Sequence, residues 1–227
     1  YAIIPHSYAH SVKDEYPEVE DATRMFFFQG TVTFRHNDEL YEEANRIWVD
    51  SNFFQFFDFK ILEGEPNELL NKPESIVLTE TTAKKYFGNE SPIGKTLTIP
   101  QPQPQQDDIV LVVTGVCEDL PENSHMKFDM IQSSTALQFI QPPNYVSFSA
   151  YSYLKLAPNA SASNLESKFP DMVTKFASGP ILRNFGVSYE EYQKQGNGYR
   201  YFLQPLPEIY LTSKLESEMK PTGNKAQ

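Results

Sequence analysis

The stretch from Phe53 to Pro92 constrains the fold of this chain more than any other. Phe53, Phe54, Phe56, Phe57 and Phe59 crowd together, Ile61-Leu62 prolongs the apolar run, and Gly64-Glu65-Pro66 turns the chain. The spacing 53, 56, 57 predicts one turn of helix facing inward. Rings at this density either fill a core or form an exposed partner patch, and aromatics dominate cores, so the core reading is favoured. Ser75 to Leu78 then predicts a short strand. Thr79 is a suitable N-cap for a helix in which Ala83, Tyr86 and Phe87 share one face. Gly88 sits where a C-cap glycine belongs, with Pro92 just beyond.

The rest of the chain reads as α+β. A helix is predicted over 7–16, capped by Ser7, with Tyr8, Val12 and Tyr16 on one face and Pro17 as its stop. Residues 22–28 and 31–35 read as strands, as do 42–50, 95–99, 109–116 and 150–156. The Pro/Gln run 100–106 reads as an extended hairpin tip between two of them. Leu165, Phe169, Met172, Val173 and Phe176 predict an amphipathic helix over 161–177, with Ser163 and Glu166 as its capping box and Pro170 as a kink. Residues 200–206 and 208–211 have strand character. The expected division is discontinuous. Residues 1–29 plus 117–227 would form a subdomain of strand–helix–strand units, and 30–116 a β-rich insertion holding the short helix.

Composition excludes several functions. With 227 residues, 40% of them hydrophobic and 22% charged, the chain can bury a real core. A net charge of −11 argues against a nucleic-acid partner and against adsorption to anionic lipid; the densest basic site is only Lys84-Lys85. The single Cys117 excludes an internal disulfide and a multi-cysteine metal site, and its strand-like surroundings predict a buried, inert thiol. No run approaches the roughly 20 apolar residues of a membrane-spanning helix. The abrupt start at Tyr1 and the polar tail 214–227 read as the ends of a piece of something longer.

Catalytic patterns fail on inspection. His6 and His10 have helical metal-pair spacing, but no Glu follows His6 and Ser7 leaves it outside the helix, so both read as surface residues. Ser124-His125 offers a nucleophile beside a base, but adjacent residues rarely address one atom, and a hydrogen bond within the turn is the simpler reading. The run from Gly88 to Thr96 has a terminal Gly-Lys-Thr. Its glycine spacing is one residue too long, Pro92 lacks a donor, and it follows a helix and enters a strand, the reverse of a phosphate-binding loop. No cofactor and no metal is expected.

These same residues carry a family resemblance. The run from Val49-Asp50 through Phe53, Phe54, Phe57, Phe59 and Gly64, then Ser75 to Glu80, Ala83, Phe87, Gly88 and Pro92-Ile-Gly94-Lys95, resembles the MacB-like periplasmic core domain of bacterial ABC-transporter permeases of the MacB/FtsX type. Residues 113–129, with Gly115 and Pro121, and residues 203–211 are similar to its later segments. The resemblance implies a non-catalytic domain at the periplasmic face of the inner membrane, between the first two transmembrane helices of a four-helix permease. It implies a subdomain of strand–helix–strand units (porter-like) and an inserted β-rich (sabre-like) one. It implies a fused or separate cytoplasmic ATPase, a permease dimer in the full-length protein, and an adaptor or lipoprotein as partner outside the membrane. Without the membrane helices the chain is expected to be monomeric. Two alternatives remain. One is a ligand- or protein-binding module with a site between the subdomains, lined by Tyr192, Tyr199 and Tyr201. The other is a hydrolase built on Ser124 and His125.

Overall fold

The computed structural model describes residues 1–103 and 105–220. They form two compact units: 1–24 with 140–218, and 25–139 with Met219 and Lys220. The boundary thus falls between Arg24 and Met25, inside β2 (Val19–Phe27).

The middle unit is a mixed sheet. The second half of β2 pairs antiparallel with β5 (Arg46–Val49), Phe26 standing opposite Trp48. β5 runs parallel to β10 (Met130–Ser133), which pairs antiparallel with β7 (Ser75–Thr79). β7 is parallel to β9 (Ile109–Cys117). Beyond β9 follow β8 (Thr96–Ile99), β3 (Val32–His36) and β4 (Glu39–Glu43), all antiparallel. β6 (Ile61–Gly64) pairs with the end of β9. Every residue of β7 is buried, which explains its unbroken Ser-Ile-Val-Leu-Thr run: a strand between two neighbours, covered on both faces, has no polar side to show.

The helix expected after β7 forms as α3 (Glu80–Phe87). Thr79 Oγ1 accepts from the Thr82 N–H and donates to Thr82 Oγ1, closing the first turn. Glu80 lies at the positive end and Lys84 and Lys85 at the negative end, as the helix dipole favours. Its inner face sets Ala83, Tyr86 and Phe87 against Ile76, Leu78, Leu97, Leu111 and Val113. Glu43, on edge strand β4, is 7% exposed and accepts from Lys85 (2.6 Å) and from Tyr86 (2.8 Å), which ties the edge to the helix. α2 (Phe53–Phe56) is the expected single turn.

Residues 42–50 form two strands, not one. The break is at Asn45, whose Nδ2 donates to Asp129 at 2.7 Å and whose carbonyl accepts from the Asp129 N–H at 2.8 Å. The same contact brings 117–139, expected with the chain ends, into the middle unit: β10 completes the sheet between β5 and β7.

The other unit pairs β1 (Ile4–Pro5) with β11 (Phe148–Leu156), which lies beside β2. On this sheet α1 (Tyr8–Glu15), α4 (Ala162–Glu166), α5 (Phe169–Phe185) and α6 (Tyr189–Lys194) build a core from Tyr8, Val12, Leu165, Phe169, Met172, Val173, Ile181 and Tyr189. The single helix expected over 161–177 is two. Ser161, not Ser163, caps α4 by accepting from the Asn164 N–H, and Pro170 starts α5 instead of kinking it, since a first-turn proline loses no bond. Glu166 accepts instead from the Leu203 N–H at 2.5 Å, and the capping box of this unit is Ser188 with Glu191. Of the two stretches expected as strands, 200–206 forms none up to Pro205, and 208–211 lies within helix α7 (Leu206–Thr212); Pro205 at the N-cap and Pro207 in the first turn suit a helix start and cannot donate to a sheet.

Candidate functional site

Among the described residues, the reactive side chains singled out in the sequence do not gather. Ser124 Oγ accepts from the Met126 N–H at 3.1 Å, closing its own turn. Burial pulls the neighbouring His125 down to about 4, so it is neutral at physiological pH. His6 lies outside α1 but is fully buried, with Nδ1 3.2 Å from Ser149 Oγ, not on the surface; β1 carries it under the sheet edge. Among the described residues no three His, Cys, Asp or Glu side chains stand close enough to hold a metal ion, and no helix is long and apolar enough to cross a membrane. Cys117 is buried in β9, and burial pushes its thiol up to about 12.

The Gly-Lys-Thr loop spends its backbone on the sheet. The Gly94 N–H donates to the Val113 carbonyl at 2.8 Å and the Lys95 N–H to the Pro92 carbonyl at 3.0 Å, so neither donor is free for an anion. Lys95 pairs with Glu90 and lies over the Phe87 ring. Beside this loop is an open groove of about 450 Å³, lined by Arg35, His36, Lys95 and Thr98 among others. Its cations are already neutralised, Arg35 by Asp108 at 2.6 Å.

The motif residues converge on packing. Phe53 and Phe54 are buried and Phe57 and Phe59 half-buried; Phe53 stacks on Phe59 with centroids 5.5 Å apart, and Phe128 closes the cluster 5.7 Å from Phe59. Gly64 and Gly115 stand opposite each other in the β6–β9 pair. A Cβ on Gly64, at φ +104°, would strike the Thr114 carbonyl oxygen, and one on Gly115 would strike Leu69. Thr114 Oγ1 donates to the Leu69 carbonyl at 2.6 Å and locks that segment over the pair. Ala83 and Phe87 lie in the α3 core. Gly88, at φ +62°, ends α3; Pro92 is buried and its carbonyl accepts from the Lys95 N–H; Pro121 is exposed at the turn before Ser124.

The tyrosines considered for an inter-subdomain pocket pack within one unit. Tyr201 lies 4.9 Å from Tyr8, Tyr199 donates to the Val146 carbonyl, and Tyr192 sits 5.3 Å from Phe185. Burial raises both Tyr199, to about 12, and Tyr201. All three are half-buried and pack against the core of that unit.

A model of the MacB-like periplasmic core domain matches residues 3–171. The chain belongs to that family. The match takes in all eleven strands and ends early in α5. Among solved structures, a domain assigned to a permease protein from Porphyromonas gingivalis superposes with a TM-score of 0.70 at 24% identity, covering 83% of this chain and 77% of that one. The periplasmic region of MacB from Actinobacillus actinomycetemcomitans gives 0.56 at 14% identity, covering 76% and 73%. The extracellular domain of the ABC-type transporter YknZ from Gram-positive bacteria gives 0.52 at 16% identity, covering 82% and 87%. At these identities the likeness is one of fold. None of the curated proteins matches the chain. For a MacB-like domain, the sequence reading missed one feature: Arg46, Trp48 and Gln132 meet on one face of β5 and β10. The alternation of Arg46 and Trp48 was its only sequence signal.

Proposed function

We propose that this MacB-like domain is the extracytoplasmic part of an ABC-transporter permease and carries no catalysis of its own. It relays ATP-driven movement to a substrate or partner outside the inner membrane. The observation that carries this reading is the family match over 3–171, which spans the whole strand framework. ATP is hydrolysed by a cytoplasmic subunit or domain, reached through transmembrane helices of the full-length permease, which works as a dimer. An adaptor or lipoprotein is the partner class expected outside the membrane. The unit formed by the chain ends is the porter-like part, and the middle unit the sabre-like part.

The physical support is stiffness. A relay must move as a body, and close-packed interiors transmit strain because they cannot compress. The Phe53–Phe59 cluster, the Gly64–Gly115 contact and the α3 core are packing of that kind. The test is the full-length permease, reconstituted with its ATPase, with this domain replaced by a short linker. Retained ATP hydrolysis with lost output outside the membrane is the expected result. Full output without the domain, or turnover of a substrate by the isolated domain, would refute the reading.

A further inference from the structure

On β5, Arg46 and Trp48 project to the same face, and the guanidinium carbon lies 4.4 Å from the Trp48 ring centroid and 5.6 Å from that of Phe34. Arg46 is half-buried, its Nε is shielded from solvent, and among the described residues that nitrogen has no hydrogen-bond partner. Arg35 and eight lysines each pair with a carboxylate, whereas among the described residues Arg46 has no carboxylate partner. Opposite Trp48 in the parallel β5–β10 pair stands Gln132, 4% exposed, whose Oε1 is also unpartnered among the described residues. Beside them the apolar surface is open: Phe28 and Phe139 are each 43% exposed, 5.3 Å from Trp48 and 6.0 Å from Phe28 respectively.

A shielded guanidinium without a carboxylate is costly, and so is a buried amide oxygen without a donor. Burial already draws Arg46 down to about 10, yet it stays charged at neutral pH. Folding alone gives no reason to keep it, because an apolar residue would pack on Trp48 at lower cost. Tryptophan and arginine ringed by apolar side chains are the composition of an interface hot spot. In a chain of net charge −11, this uncompensated cation is also a local exception to a field that repels acids.

We propose that the Arg46–Trp48–Gln132 face is a docking surface for a segment of another protein that presents a carboxylate beside an aliphatic side chain. The carboxylate meets the Arg46 guanidinium, and the aliphatic group lies on Phe28 and Phe139. This assignment stands independently of the permease reading.

Trp48 is the only tryptophan of the chain, so its fluorescence reports on this face alone. The probe is the peptide acetyl-(Glu-Leu)3-amide, with acetyl-(Gln-Leu)3-amide as its neutral control. The wild-type chain is expected to show a saturable change in Trp48 emission, roughly tenfold tighter for the glutamate peptide, as one charge-assisted contact provides. That preference falls as salt is added, disappears in Arg46→Gln, survives in Arg46→Lys, and Phe28→Ser weakens both peptides. Equal binding of the two peptides, no saturable response, or a preference untouched by Arg46→Gln in a folded variant would overturn the proposal. If Arg46→Gln fails to fold, the salt dependence of the wild type decides: a glutamate preference indifferent to salt overturns it.

Discussion

Two glycines that look alike in sequence differ at the residue scale. Gly64 adopts φ +104° with the Thr114 carbonyl in the way of any side chain, whereas Gly88 adopts φ +62° with open space around it. Gly88, with ψ −120°, lies outside the left-handed helical basin, so Gly88→Ala meets only the penalty of a sparsely populated backbone region, about 1–3 kcal/mol. Gly64→Ala adds a steric clash with backbone that cannot rotate aside, and is expected to cost more; urea unfolding of both variants checks the order. His125 makes a second case. Its folded value of about 4 lies below the ordinary 6.5, so it is held neutral in the folded state and takes up a proton more readily when unfolded. Its contribution to stability is complete above about pH 6.5 and is lost as pH falls toward 4. Melting temperatures across that window should fall less steeply for His125→Gln than for the wild type. Residue chemistry was partly legible in sequence. Cys117 reads as inert from its Val-rich strand, and Ser124 reads as a turn former. His6 was misread, because nothing local signals that Ser149, 143 positions away, brings a hydrogen-bonding oxygen to it under the sheet edge.

At the scale of elements, α3 is the best-specified piece. Its N-cap, charge order, buried face and terminal glycine all appear in a short run of sequence, so local preference and tertiary packing agree. Phe87→Ala is expected to cost about 3 kcal/mol, since it empties a site packed by Leu97 and Val113. Thr79→Ala, which removes only the cap, is expected to cost about 1 kcal/mol. Denaturant titration of the two variants measures both. Legibility failed where two elements share one apolar stretch. The helical periodicity of 161–177 is continuous, but Ser161 and Pro170 each start a helix, so the chain breaks between them. Residues 208–211 have strand character, yet Pro205 and Pro207 start a helix, α7, that contains them.

The whole molecule was legible as a class and as a family, because runs such as Phe53–Gly64 and Ser75–Lys95 are dense enough to identify themselves. The line between its units was not. Strand β10 joins the middle unit through Asn45 and Asp129, a pairing between residues 84 positions apart that no periodicity encodes. The Arg46–Trp48 face escaped notice for the same reason, since Gln132 reaches it only through that pairing. With the sheet complete, the middle unit is expected to keep its internal distances while the domain moves. Sedimentation of the isolated chain is expected to give a monomer at micromolar concentration.

The central proposal is that nucleotide moves this domain in the full-length permease while the middle unit keeps its internal geometry. Pulsed electron paramagnetic resonance on the full-length permease with its ATPase tests it, with spin labels at exposed Leu40 and Ile93 of the middle unit and a second sample labelled at Leu182 in both copies of the dimer. The account predicts that adding nucleotide shifts the Leu182–Leu182 distance and leaves the Leu40–Ile93 distance unchanged. An unmoved Leu182 pair, or a Leu40–Ile93 distance that changes with nucleotide, would contradict it.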